Sequence, residues 1–130
     1  MKEQELSSLI RYRLEQAQTA LEDAQFLLEG DRSPQSIVNR AYYAMFYAVL
    51  ALLQKIGKVP SKHAGVISLF DTEFVVKGKF PQELSKDLHK TFELRQVTDY
   101  TTLKPITKEK AQETLDRAIL FVKAVKSFLL

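Results

Sequence analysis

The sequence predicts an all-α fold, an antiparallel up-and-down bundle of four long helices plus one short helix. Three observations predict it. The 130 residues include only four Gly and four Pro, so few turns are encoded and long helices are favoured over a strand-rich fold. Apolar residues recur at three- and four-residue spacing over long stretches, the period of a helix with one buried face. The Pro and Gly residues fall in places that divide the chain into five such stretches. Residues 1–130 make a single domain, with no internal repeat, low-complexity segment or dividing linker.

The first helix is placed at about residues 3–29. Ile10, Leu14, Ala17, Leu21, Ala24 and Leu28 form one apolar stripe, with Glu15, Gln16, Glu22 and Asp23 off it, and Gly30 acts as the stop. Ser33 and Pro34 open the second helix as N-cap and first helical residue, and Gly57 ends it after Ile56. Ala41, Ala44, Ala48 and Ala51 put small side chains at helical spacing, where another helix can approach closely, with Tyr42, Tyr43, Phe46 and Tyr47 filling the space around them. Pro60 and Ser61 start a short third helix, about 61–76, with Val66, Ile67, Phe70 and Phe74 on its apolar face and placed across the bundle end. Lys77-Gly78-Lys79 is a turn. Pro81 opens the fourth helix, about 82–98, with Leu84, Leu88, Phe92 and Arg95 on one face. Asp99 to Pro105 reads as an irregular connection. Thr107 caps the last helix, about 108–129, whose stripe is Leu115, Ala118, Val122, Val125 and Leu129. Phe121 and Phe128 lie near the edge of that stripe, and with Leu130 they make an excess of apolar surface that points to a homodimer.

Composition excludes several chemistries. With no Cys there is no disulfide framework, no thiolate nucleophile and no Cys-based zinc site, and two His are too few for a His-rich metal site. No metal and no cofactor are expected. The charged N-terminus lacks the apolar core of a signal peptide, and the cytoplasm is the expected compartment. The apolar run from Ala41 to Leu53 is shorter than the roughly 20 residues that span a bilayer and reads as a buried helix. A net charge of +3 permits an anionic partner without demanding one. No Gly-rich phosphate loop, Walker sequence or paired metal-binding carboxylates occur.

Three segments carry a resemblance: Asn39-Arg40-Ala41-Tyr42-Tyr43-Ala44-Met45-Phe46-Tyr47-Ala48, Ser61-Lys62-His63-Ala64-Gly65-Val66, and Leu94-Arg95-Gln96-Val97-Thr98-Asp99-Tyr100. In order and separation they resemble the HEPN family (higher eukaryotes and prokaryotes nucleotide-binding), in its small prokaryotic branch with an Arg-x-x-x-Asp-Tyr signature. The resemblance covers almost the whole chain. It implies a HEPN-like bundle, a homodimer, and a nucleotide- or RNA-binding module acting with a separately encoded minimal nucleotidyltransferase in a toxin–antitoxin-type pair. Active members of the family are metal-independent RNases with Arg followed four to six residues later by His. Here Arg95 matches the Arg, but Tyr100 stands five positions on, and neither His lies downstream. Cleavage through the ribose 2′-OH needs a group that takes and returns a proton near neutral pH. Histidine does so naturally; an unperturbed tyrosine with a pKa of about 10 is ionised to roughly one part in a thousand at pH 7.

Each candidate has two readings. Arg95 and Asp99, four apart, make either an ordinary helix ion pair of a few tenths of a kcal/mol or a phosphate-binding fork oriented by the carboxylate. Tyr100 either packs at the bundle end or donates to phosphate and stacks on a base; it also loosely resembles the tyrosine that the partner nucleotidyltransferase adenylylates in some relatives. His63 is either a structural histidine or the group that supplies the missing acid–base function beside Arg95. His89 is assigned to a solvated face, and Arg40 to a partly buried ion pair. Tyr42, Tyr43 and Tyr47 are assigned to core rather than to a ligand box. Lys77, Lys79, Lys86 and Lys90 make a basic surface that is ordinarily solvated. Two alternatives to the binding module stay open: an RNase toxin using Arg95 with Tyr100 or His63, and a structural helical adaptor.

Overall fold

The computed structural model describes residues 2–100 and 105–130, with side chains for all of these except 97–100. Five α-helices follow one another: α1 Glu3–Glu29, α2 Pro34–Lys55, α3 His63–Phe70, α4 Gln82–Tyr100 and α5 Lys108–Leu129. No strand occurs among the described residues. The starts of α2 and α5 are encoded as the sequence implies. Ser33 accepts a hydrogen bond from the Ser36 N–H ahead of Pro34, and Thr107 accepts one from the Lys110 N–H.

The ends follow one rule with a variation. After α2, Lys58 N–H reaches Leu53 C=O and Gly57 N–H reaches Gln54 C=O, with Gly57 at φ 74°. This paired closure needs a left-handed residue, which glycine supplies without steric cost. After α1 the same closure runs from Arg32 to Leu27 and from Asp31 to Leu28. Here Asp31, not Gly30, takes the left-handed conformation, at φ 55°. Aspartate tolerates that region better than most residues. Its carboxylate also accepts from Lys108 Nζ at 2.9 Å, tying the first turn to the start of α5.

Two boundaries differ from the sequence reading. The third helix begins at His63, because Lys62 is extended (φ −119°, ψ 148°) and supplies no side-chain cap. It also changes winding at Phe70: Asp71–Val75 form a π-helical turn closed by Val76 N–H to Asp71 C=O at 2.8 Å. The fourth helix runs on to Tyr100, so the backbone of Asp99 and Tyr100 belongs to α4 rather than to an irregular connection. The side chains of both lie outside the described residues, as does the rest of that connection up to residue 104.

α2 is the centre of the bundle. It packs against α1 most extensively, then α5, α4 and α3, whereas α4 touches α5 little and α1 not at all among the described residues. The reason is visible in the sequence of the facing surfaces. Ala17, Ala20 and Ala24 of α1 and Ala41, Ala44, Ala48 and Ala51 of α2 are all buried, so the axes can come close where these small side chains face. α2 is the one described helix long and apolar enough to cross a membrane, yet most of it is buried inside the bundle. Large side chains fill the remainder: Ile37, Met45, Leu52, Leu53, Leu88 and Leu115 are fully enclosed. Each contributes on the order of 1.5–3 kcal/mol of transfer free energy.

Aromatic rings form two clusters joined by α3. At one end Phe70, Phe74, Phe80, Phe121 and Phe128 pack with centroids 5.0–6.3 Å apart. Phe121, expected at an apolar edge, is fully buried because it meets Phe70 at 5.3 Å; Phe128 is 44% exposed and Leu130 90% exposed. At the other end are Tyr42, Tyr43, Phe46, His63 and Phe92, and this cluster holds the candidate site.

Candidate functional site

Tyr42 and Tyr43 are neighbours on α2, so their side chains leave the helix about 100° apart. Their rings meet edge-on, 5.3 Å between centroids and 73° between planes. The Arg95 guanidinium of α4 sits against both rings, with Cζ 5.2 Å from each centroid. A cation held this way gains about 0.5–2 kcal/mol, more as water is excluded. Arg95 is only partly buried.

His63 opens α3 against the same rings. Its imidazole stacks on Phe46 at 4.2 Å and 14°, and its Nδ1 lies 2.8 Å from the Tyr42 hydroxyl. Tyr42 is fully buried. Burial raises its phenol well above the ordinary tyrosine value, with the Arg95 charge acting in the opposite direction, so the proton stays on. The buried Tyr42 O–H meets no other acceptor among the described residues, so it is assigned as the donor to Nδ1, which places the imidazole's own proton on Nε2. His63 itself is held below the ordinary histidine value, first by burial and then by the nearby Arg95 charge. It is a neutral imidazole at pH 7 that offers an N–H rather than a free lone pair.

The structure thus brings Arg95 and His63, placed together by sequence reasoning only as an alternative, around one tyrosine. Asp99 and Tyr100 follow Arg95 on α4 within the next turn and a half, but their side chains lie outside the described residues. Tyr42 is core, as assigned; Tyr43 and Tyr47 are half-buried. Arg40 does not make the ion pair assigned to it among the described residues. Its Nε and Nη2 donate to Asn39 Oδ1 at 3.1 and 3.0 Å, and its Cζ lies 5.1 Å from the Tyr43 centroid. A neutral amide oxygen satisfies part of the guanidinium, and the aromatic face replaces a carboxylate. The spacing Arg40 to Tyr43, one helical turn, was the signal available in the sequence. His89 is not simply solvated: its Nε2 is 2.6 Å from Asp71 Oδ2, and Ser85 Oγ donates to Asp71 Oδ1 at 2.6 Å. The two α4 side chains fix the first residue of the π-helical turn. Among the described residues, no three His, Asp or Glu side chains come together in a way that could hold a metal ion.

Chemically, the arrangement presents a guanidinium, an imidazole N–H and aromatic faces at one end of the bundle. These are the groups that bind a phosphate and a base. The class so defined is a helical bundle with a cation-bearing aromatic site. The chain belongs to the HEPN domain family, whose model matches residues 10–128. It is similar to a "UPF0332 protein" of Thermotoga maritima, 39% identical over 125 residues that cover 96% of this chain and 94% of that one. It is also similar to a protein of Methanocaldococcus jannaschii that bears the name "putative toxin", 38% identical over 116 residues, 89% of this chain and 85% of that one. A solved structure from Thermus thermophilus shares the fold, with a TM-score of 0.77 at 23% identity, covering 92% of this chain and 97% of that chain.

Proposed function

We propose that the chain is a nucleotide- or RNA-binding HEPN module whose ligand sits around Arg95, Asp99 and Tyr100, acting as a homodimer with a separately encoded minimal nucleotidyltransferase in a toxin–antitoxin-type pair. The observation that carries the binding reading is Arg95 held over Tyr42 and Tyr43 beside His63, with Cζ 5.2 Å from both rings. Arg95 supplies a planar fork for phosphate, and the His63 Nε2–H adds a second donor type. The "putative toxin" name of the Methanocaldococcus jannaschii relative supports the toxin–antitoxin setting.

A second reading, a metal-independent RNase using Arg95 with His63 or Tyr100, is favoured by one observation: His63 and Arg95 share Tyr42. A hydrogen bond from Tyr42 to Nδ1 disfavours His63 as a general base, because the ring's one lone pair is already engaged. Direct test separates the two. Purified protein, Arg95→Ala and His63→Ala are incubated with labelled single-stranded RNA in EDTA, and both retention and cleavage are read. RNA retained uncut by the wild type and released by Arg95→Ala is the expected result. Cutting that Arg95→Ala abolishes makes the protein an RNase instead. Failure to bind RNA or nucleotides under any condition removes both readings and leaves a structural adaptor.

A further inference from the structure

The Tyr43 ring bears two cations, not one: Arg95 Cζ at 5.2 Å and Arg40 Cζ at 5.1 Å from its centroid. Arg40 has five N–H donors, and Asn39 Oδ1 takes one from Nε and one from Nη2. Three donors remain, on Nη1 and Nη2, along the edge of the fork that suits a bidentate phosphate. Glu15 and Asp23 of α1 line a groove beside Arg40, yet neither pairs with it among the described residues. Its charge is therefore oriented by an amide and a ring but not neutralised by a carboxylate.

We propose that Arg40 is a second phosphate-binding cation of this site, engaging a phosphate of the same single-stranded RNA that Arg95 holds. The inference rests on the reading of Arg95 as a ligand-binding residue and extends it to the ligand class. A strand fits better than a mononucleotide for a geometric reason. Arg40, Tyr43 and Tyr47 lie on one face of α2 at helical spacing, a span of about 10 Å along the axis. The groove beside Arg40 continues past Tyr47 to Tyr12, which is 53% exposed. Successive nucleotides of a strand advance by only about 3.4 Å when stacked, so this face has room for more than one of them. Half-buried and exposed tyrosines beside an arginine that no described carboxylate pairs are the combination that binds single strands without reading their sequence. Asn39 is a positioning residue, holding the Arg40 fork in place.

The test is fluorescence anisotropy of a labelled uridine oligomer of about 12 nucleotides, within the usual span of single-strand sites. Wild type, Arg40→Gln, Arg40→Lys, Asn39→Ala and Arg95→Ala are titrated across a salt series, with unlabelled ATP as competitor and thermal unfolding as a check on folding. Arg40→Gln is expected to weaken RNA binding by roughly ten- to a hundredfold. It also lowers the slope of log affinity against log salt by about 0.7, the share of one phosphate on a single strand. Arg40→Lys and Asn39→Ala keep the charge, so affinity falls while the slope stays; this arm decides the matter if Arg40→Gln folds poorly. ATP competes weakly. Unchanged affinity and slope in Arg40→Gln, with binding lost in Arg95→Ala, overturns the second cation and leaves the Arg95 site standing. ATP competing as well as RNA, with equal sensitivity to Arg40→Gln, overturns the strand in favour of a mononucleotide. No RNA binding by the wild type removes the inference together with the reading beneath it.

Discussion

Replacing Tyr42 by Phe deletes one oxygen from the centre of the site and leaves the ring in place. The hydroxyl is fully buried and its described partner is His63 Nδ1 at 2.8 Å. A hydrogen bond of this kind contributes about 1 kcal/mol net, and a buried partner left unsatisfied costs up to about 3 kcal/mol. His63 is partly exposed, so water can reach the vacated nitrogen and the loss stays near the lower figure, about 1–1.5 kcal/mol. For a chain of this size that corresponds to a fall in Tm of about 3–5 °C. Urea unfolding at pH 7 should show a lower midpoint with an unchanged slope. A double-mutant cycle with His63→Phe should return a coupling of about 1 kcal/mol. Because the bond favours the neutral imidazole, an NMR titration should find the His63 pKa higher in Tyr42→Phe than in the wild type. A loss under about 0.3 kcal/mol with no coupling would refute the hydrogen bond, and with it the assignment of the imidazole proton to Nε2.

Ala48 is fully buried on the central helix, and Ala48→Leu adds three heavy atoms with no space to receive them; a loss of about 1–3 kcal/mol or more in chemical unfolding is expected. Thr107→Ala removes the acceptor for the Lys110 N–H, and the same assay should read a loss of about 0.5–2 kcal/mol. The pH dependence has two windows. His63 is below its ordinary value of 6.5 in the folded chain, so the unfolded chain takes the proton more readily and stability falls as pH drops below that value. Thermal unfolding at pH 7.5 and 5.5 should show a smaller decrease in His63→Phe than in the wild type. Glu73 is held low by Lys77 and Lys58, and Asp31 by Lys108, so their contributions are present above the ordinary carboxylate range and are lost only on further acidification.

The long helices were legible because local signals mark them: an apolar period along the chain, a Ser or Thr cap opening α2 and α5, and a left-handed closure ending α1 and α2. The stripe from Leu14 to Leu28 is buried as read, and Thr107 caps as read. What the sequence hid depends on contacts between distant segments. The π-helical turn places Asp71 against Ser85 and His89, and nothing local in residues 71–75 marks it. Phe121 looked like an edge residue because a helical period does not reveal that Phe70 covers it. At the site, Arg95 and His63 were named from motif and residue type, but Tyr42, which joins them, was read as core alone. It is core, and its hydroxyl is also the partner of His63. Arg40 was assigned a carboxylate partner, whereas an amide oxygen takes part of its fork and a tyrosine ring lies under its charge.

The site is assembled from elements that are held to unequal degrees. Tyr42 and Tyr43 stand on α2, the helix every other helix leans on, while Arg95 stands on α4, which rests mainly on α2, touches α5 little and α1 not at all among the described residues. Detachment of α4 exposes less surface than opening α2, so amide hydrogens of α4 should exchange through a partial opening while those of α2 wait for global unfolding. A ligand that bridges Arg95 to the tyrosines binds only the docked state. By mass action it would slow exchange by the factor one plus ligand concentration over Kd for every amide whose opening undocks α4, those of α2 included, and would leave openings that spare the site unchanged. Occupancy of the site can therefore be mapped from backbone protection alone, without a label on the ligand and without catalysis.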